Sequence, residues 1–177
     1  MKSLFLGLAV LACGSMYTST AATVQFDTIG SGLCTGNSQC NTYSVTFGNL
    51  QLTYVPNTTG NLMVNPVSSP TFGNLVLSCL DTSCLPSSPT TPLPSPLTLY
   101  LVFNQTLPIA GTGTITSSSI TGSVSLFQGL AQINWTNPSV TIQGITYTVP
   151  NNPLNITTAD NGQTAQDLPT GVTTIQG

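Results

Sequence analysis

Residues 43–54, YSVTFGNLQLTY, contain two runs of alternating apolar and polar residues, separated by Gly48-Asn49. Strict alternation is typical of a half-buried β-strand, because successive side chains of a strand point to opposite faces of the sheet. Gly and Asn both tolerate the positive φ that a tight hairpin turn requires. The segment therefore predicts a β-hairpin formed by residues 43–47 and 50–54.

The same pattern recurs along the chain and predicts about ten short strands. A second hairpin is expected at 140–142 and 145–149, with its turn at Gln143-Gly144. No window has a helical period over three turns. We therefore predict an all-β protein, an antiparallel β-sandwich, of which the jelly roll is one form. The other predicted strands are the central strands 75–80 and 97–103, buried on both faces, the strands 119–127 and 130–135, and the edge strands 23–26, 154–158 and 172–176.

The N-terminus predicts secretion. Residues 1–22 contain one Lys, a short apolar run and then small residues, which is the pattern of a signal peptide cut after Ala21 or Ala22. The apolar run is too short to cross a membrane as a helix, and no later stretch is long enough. Lipoprotein processing is the alternative, with Cys13 as the lipidated residue, because residues 10–13 (VLAC) are close to a lipobox.

After the signal peptide, residues 23–177 are expected to form a single β-sandwich domain. A mature chain of this length can bury a core of its own. The segment 86–96 (PSSPTTPLPSP) is rich in Pro, Ser and Thr. Because Pro cannot donate to a sheet ladder, we expect this segment to cross between sheets in an extended, polyproline-like conformation.

Charged side chains are almost absent. They make up 3% of the chain: one Lys, four Asp, and no Arg, His or Glu. Without His there is no Ser-His-Asp triad. With Lys2 in the signal peptide, no basic side chain remains to neutralise phosphate groups, so nucleic acid is excluded as a partner. The composition therefore predicts a protein that is not an enzyme and binds no cofactor.

The four remaining cysteines predict two disulfides in an oxidising compartment. Four cysteines allow three pairings. The short spacings favour the local pairs Cys34–Cys40 and Cys79–Cys84, each closing a small turn-rich loop. A zinc site is disfavoured because the gaps differ from those of zinc knuckles and no His is present. No metal site is predicted.

Two Asp-Thr pairs come nearest to a catalytic motif. Aspartic proteases place their two carboxylates in Asp-Thr-Gly or Asp-Thr-Ser loops, where they share a proton. Here Asp27-Thr28 is followed by Ile, where the loop needs a small residue, and Asp81 lies inside a predicted disulfide loop. Turn capping is the favoured interpretation of both carboxylates. The polar loop 160–167 offers oxygen ligands for a weak calcium site, but a solvated loop is favoured there.

The aromatic residues allow two interpretations. Trp135 is the only Trp, and Tyr54, Tyr100 and Tyr147 also lie in alternating stretches. Together they could form a platform for sugars, but an aromatic residue in such a strand usually fills the core. We predict that Trp135 is a core residue.

Three C-terminal stretches resemble secreted bacterial proteins of the exosortase-sorted (PEP-CTERM) kind: SVTIQGITYTV (139–149), NNPLNIT (151–157) and GVTTIQG (171–177). The uncharged composition and the small cysteine loops are also similar to that family. The sorting tail of the family, with its Pro-Glu-Pro box, apolar helix and basic end, does not occur in this sequence. The resemblance implies an extracellular or biofilm-matrix location and no particular activity.

The composition also predicts how the protein interacts. A surface of Thr, Ser, Asn, Gln and Gly has neither charge repulsion nor charged residues to guard its sheet edges. We therefore expect a secreted, non-catalytic structural or matrix protein, extracellular or at the cell surface, that associates through sheet edges or its polar surface. The expected partners are further copies of the chain or extracellular polysaccharide. A carbohydrate-binding or adhesive module is the alternative.

Overall fold

The computed structural model describes residues 23–36, 42–58, 60–63, 69–81, 84, 87–159 and 170–177. These residues form fifteen β-strands in antiparallel pairs and include no helix. The all-β, antiparallel, sandwich-like prediction is confirmed. The strands are β1 (Thr23–Asp27), β2 (Gly32–Thr35), β3 (Ser44–Phe47), β4 (Leu50–Pro56), β5 (Gly60–Met63), β6 (Thr71–Cys79), β7 (Thr91–Pro92), β8 (Leu97–Leu107), β9 (Gly111–Thr116), β10 (Thr121–Val124), β11 (Gly129–Ile133), β12 (Ser139–Ile142), β13 (Ile145–Thr148), β14 (Leu154–Asn155) and β15 (Thr170–Gln176).

The strands form three sheets and one separate hairpin. The β8 sheet has the order β2-β8-β1-β5, with β9 on the other side of β8. The β6 sheet has the order β15-β6-β4-β3, and the β11 sheet has the order β14-β11-β10-β7. The hairpin is β12–β13, which turns at Gln143 (φ 48°) and Gly144 (φ 83°) as predicted. The β3–β4 hairpin is also confirmed.

The long strand β8 organises its sheet. Residues 100–105 pair with β9 along one side, while β2 and β1 share the other side, at 97–100 and 104–107. Alternate residues from Leu97 to Gln105 are fully buried, and those between them are half-buried. The prediction of burial on both faces is therefore wrong, because each large sheet packs only one face on the core.

Four aromatic rings join the two large sheets and the hairpin. Phe26 on β1, Phe72 on β6, Phe103 on β8 and Tyr147 on β13 lie with ring centroids 4.8–6.3 Å apart. Most of these pairs are edge-on or tilted, which is the arrangement that the ring quadrupole favours. The rings belong to one continuous cluster of buried hydrophobic side chains. This cluster forms the core between the sheets.

A bulge at Gly73 turns Phe72 into this core. Gly73 pairs with Ile175 of β15, but Thr71 pairs with the next residue, so Phe72 is the extra residue of the bulge. As a result Phe72 and Gly73 are both buried, which breaks the alternation. Gly73 has φ +127°, and a Cβ there would lie 2.7 Å from the Tyr54 hydroxyl. Only glycine fits at this position.

Buried hydroxyl groups tie the loop after β1 to the β6 sheet. Thr28 is fully buried, and its Oγ1 accepts a hydrogen bond from the backbone N–H of Asn57 at 2.8 Å. The Tyr54 hydroxyl lies 3.0 Å from Thr28 Oγ1 and donates to the backbone oxygen of Phe72 at 2.7 Å. On the other side of the core, the Tyr147 hydroxyl donates to Gln105 Oε1 at 2.8 Å, and Gln105 Nε2 donates to Ile109 O at 2.6 Å. Burial raises the pKa of Tyr54, and it raises the pKa of Tyr147 to about 12.

Two further predictions are corrected. The strand predicted at 23–26 is not an edge strand, because β1 lies between β8 and β5. The Pro-rich segment does join a sheet, since Thr91 and Pro92 pair with β10. β7 is the last strand of the β11 sheet, and an edge position tolerates a proline. By contrast, β14 and β15 do end their sheets within the described chain, as predicted.

We predict that Gly73→Ala lowers the free energy of unfolding by about 3 kcal/mol, because it combines a strained φ with a buried clash. Gly144→Ala is the matched control. Gly144 has φ +83°, but a Cβ added there would have nothing within 4 Å. Its cost should be only about 1 kcal/mol. Urea denaturation followed by Trp135 fluorescence measures both values, and equal costs would contradict the role of the bulge.

We also predict that stability falls as the pH rises from 10 to 12. The folded state holds Tyr147 protonated up to a pKa of about 12, whereas the unfolded chain ionises it near pH 10. The stabilisation is therefore complete below pH 10 and is lost above it. Tyr147→Phe should make this loss shallower, while at pH 7 it lowers stability by about 1–2 kcal/mol because Gln105 loses a partner. Denaturation midpoints between pH 8 and 11.5 test this, and an unchanged slope would contradict it.

Candidate interaction surface

Charge is scarce on the structure, as it is in the sequence. Asp27 and Asp81 are the only charged side chains in the described ranges. Asp27 Oδ1 accepts hydrogen bonds from Ile29 N at 3.0 Å and from Asn104 Nδ2 at 2.7 Å. The first bond closes an Asx turn after β1. Turn capping by Asp27 is thus confirmed, and the second bond holds the turn to β8.

The two Asp-Thr motifs do not come together. Thr28 Oγ1 lies 3.1 Å from the backbone oxygen of Phe72, so Asp27 adjoins the start of β6. Asp81 follows the end of that strand and lies 3.8 Å from the Cys79 sulfur. The extended length of β6 separates the two carboxylates by more than about 20 Å. They cannot share a proton as a protease dyad does.

Cys34 lies on β2 of the β8 sheet, and Cys79 ends β6 of the β6 sheet. Cys79 and Cys84 are joined by a disulfide with 6.2 Å between their Cα atoms, which closes a small loop at the end of β6. Cys34 on β2 is also disulfide-bonded. Its predicted partner Cys40 lies outside the described residues, as does Cys13.

Two other predicted features fall outside the described residues. They are the signal peptide, 1–22, and the polar loop 160–167. In the ranges that are described, no three His, Cys, Asp or Glu side chains gather as a metal site would require. Those ranges also contain no helix with the length and apolar character needed to cross a membrane.

The aromatic residues do not form an exposed platform. Trp135 is 4% exposed, and Tyr54 and Tyr147 are buried. Tyr100 is half-buried on the outer side of β8. The prediction that Trp135 is a core residue is confirmed. Sugar binding by stacking on these four residues is therefore disfavoured, because stacking needs an open ring face.

The outer face of the β6 sheet carries uncharged side chains that align in rows across its strands. This outer face is defined by three cross-strand rows of residues. Its side chains are hydroxyl, amide or β-branched aliphatic, and none is charged. The rows are Thr170–Ser78–Gln51–Thr46, Val172–Val76–Thr53–Ser44 and Thr174–Asn74–Val55.

Hydroxyl groups also cover β9 and the β12–β13 hairpin. Thr112, Thr114 and Thr116 are exposed along β9, and Thr141 and Thr146 pair across the hairpin with 2.9 Å between their hydroxyl oxygens. The inward residues of β9 include Gly111 and Gly113, where a Cβ would meet side chains of β12 at 2.6–2.7 Å. These glycines let the hairpin cover the inner side of β9.

β15 is the longest strand at a sheet edge in the described structure. β15 has seven residues, TGVTTIQ, and pairs only with β6 among the described strands. The segment 156–159 covers its inner face, where Thr157 N donates to Thr173 Oγ1 at 2.6 Å. The edge itself has no proline and no charge, which are two of the usual devices that prevent edge-to-edge pairing.

The other terminal strands of the β6 and β11 sheets are protected. β3 has four residues, and the chain just before it is closed off by a bridge between Thr42 and Leu33 of β2. β7 and β14 have two residues each, and β7 contains a proline. Short strands and prolines are common protections of a sheet edge. β9 of the β8 sheet, with six residues and no proline or charge, is a second unprotected strand, and β15 is the longer of the two.

Sequence reasoning predicted β15 as an edge strand but missed the outer face. The register that aligns Val172 with Val76 and Thr53 comes from three strands that are far apart in the chain. In the sequence, only the absence of charge indicated that such an outer face would exist. No protein-family model, curated protein or solved structure matches the chain.

We predict that Trp135 emits at short wavelength, at about 330 nm, as expected for an indole buried in an apolar core. Iodide should quench it weakly, and soluble glucans or chitin oligomers should leave the emission unchanged. Trp135 is the only Trp, so the signal is unambiguous. Emission near that of free tryptophan, or a shift on adding sugar, would contradict the core assignment.

Proposed function

We propose that this protein is a secreted, non-catalytic structural component of an extracellular matrix or cell surface. It associates through the open edge of β15 and the uncharged outer face of the β6 sheet. The observation that carries the proposal is the β15 edge: seven residues, pairing with β6 on one side, and no charge or proline to block the other. Such an edge is a template for strand addition.

The outer face supports the same proposal. Its rows of Thr, Ser, Val, Gln and Asn can approach another neutral surface without desolvating a charge. Taking an unpaired charge out of water is the largest cost in forming many interfaces. A neutral, hydroxyl-rich face avoids that cost and still offers hydrogen bonds. A face of this kind suits close packing in a matrix at any salt concentration.

The cysteine chemistry supports the location. The Cys79–Cys84 disulfide implies an oxidising compartment, where such bonds form and persist. The N-terminal segment 1–22 has the composition of a secretory signal peptide. Both features are expected of a protein exported to the cell exterior.

The chemistry argues against catalysis as the main role. The chain has no His, Glu or Arg, and its two described carboxylates lie at opposite ends of β6. Asp27 is engaged in capping its turn and in binding Asn104. These two carboxylates are too far apart to act together as a general acid and a general base.

We predict that the native protein runs as a high-mass species that resists mild detergent and collapses to monomer on boiling. Surface and culture-medium fractions of the producing cells, run on a gel boiled and unboiled with detection of this chain, provide the measurement. Backbone pairing at the β15 edge, together with packing of the uncharged outer faces against one another, is the physical reason. A single monomer band in the medium would contradict the proposal and favour a soluble carbohydrate-binding module, to be tested on a glycan array.

A further inference from the structure

We infer that the occupant of the β15 edge is β15 of a second copy of this chain, in antiparallel orientation about a two-fold axis at Thr173. Two four-stranded β6 sheets then become one eight-stranded sheet. The inference rests on the proposed function, because it names the partner and the register of the associating edge. It follows from three features: the faces that this register aligns, the β-branched residues at the centre of β15 and the lack of charge.

In this register each residue of β15 lies opposite a residue that faces the same side of the sheet, so the strand can pair with its own copy. With Thr173 opposite its own copy, Val172 lies opposite Thr174 and Thr170 lies opposite Gln176. These four positions are all exposed on the outer side in the monomer. The register therefore continues the outer face across the two-fold axis, and no buried side chain has to turn outward.

The inner side of the strand is compatible with the same register. Gly171 lies opposite Ile175 in this pairing, and both are buried in the monomer. The backbone at Thr157 and Thr158 already lies against Gly171, so this side stays covered by the chain itself. The β-branched residues Val172, Thr173 and Thr174 lie at the centre, where cross-strand pairs of this type stabilise a sheet. The strand has no proline, so each of its residues has an N–H.

The lack of charge removes the usual obstacle to self-pairing. In a two-fold interface each patch meets its own copy, so a charged residue near the axis is repelled by itself. Neither β15 nor its neighbour β6 carries a charge. At the protected end of the sheet, β3 has only four residues and a bridge at Thr42, so pairing is directed to β15.

The test uses two charged variants that differ in one side chain. V172E/T174E places Glu opposite Glu at both symmetry-related pairs, whereas V172E/T174K places Glu opposite Lys. Both positions are exposed in the monomer and face Val76 and Asn74 on β6, so neither variant meets a charge within its own sheet. Thr114→Glu, exposed on β9 of the other large sheet, is the control for a general effect of negative charge.

Sedimentation velocity of the full disulfide-bonded chain, across a concentration series in 20 mM salt, gives the dimer Kd of each protein. We expect wild type, V172E/T174K and Thr114→Glu to dimerise with similar Kd, and V172E/T174E to bind at least about tenfold more weakly. In 0.5 M salt the weakened variant should recover, because screening acts on charge repulsion and not on misfolding. Circular dichroism and Trp135 emission check folding, and V172K/T174K replaces the double Glu variant if that fails to fold.

Three results would overturn the inference. Equal dimerisation of V172E/T174E and wild type would show that another surface associates. Loss of dimer in both double variants, with recovery in salt, would show a shifted register in which a substituted residue lies opposite its own copy. A wild-type chain that stays monomeric while native fractions still form high-mass species would overturn the self-pairing of β15, and it would leave the outer face of the β6 sheet to carry the proposed matrix function. A wild-type dimer in vitro without assembly in native fractions would leave the inference intact and contradict the proposed function.

Discussion

The near absence of charge is the constraint on which the rest of this structure depends. With Asp27 and Asp81 as its only described charges, the fold is held by apolar burial, backbone ladders and a few buried hydroxyl bonds. Outward positions are filled with Thr, Ser, Asn, Gln and Gly, and 49 of the 177 residues are Ser or Thr. Threonine suits this task because it is β-branched, which favours strands, and carries a hydroxyl for water. The same composition leaves the sheet edges without charged residues to block pairing, and the proposed association rests on that absence.

The parts of the fold that follow from local chemistry could be predicted. Both hairpins show alternation around a glycine turn, and Asp27 is followed at the right distance by the N–H that it caps. β9 could not be predicted, because Gly111 and Gly113 remove the apolar half of the alternation. Glycine is needed at both positions because β12, which is distant in the sequence, packs closely against them. The interior place of β1 and the bulge at Gly73 likewise depend on partners that no local pattern reveals.

One part of the candidate surface could be predicted from the sequence, and the other part could not. That β15 ends its sheet could be predicted from its position after a long polar loop and its alternating pattern. The outer face could not, since its rows combine residues from β15, β6, β4 and β3. Burial of Trp135 matters most for function, because it removes the one strong aromatic candidate for sugar stacking. The described surface offers strand edges, of which β15 is the longest, and neutral side chains on the faces, which suit association with another neutral sheet.

Amide hydrogen exchange in β15 at several protein concentrations tests association at this edge most directly. We expect the amides of 170–176 that face away from β6 to exchange fast in dilute protein and to become protected as the concentration rises, while those of β8 stay protected throughout. Protection of the outward β15 amides that is already complete in the monomer, or exchange that stays fast at every concentration, would contradict the central claim that this uncharged edge is where the protein associates.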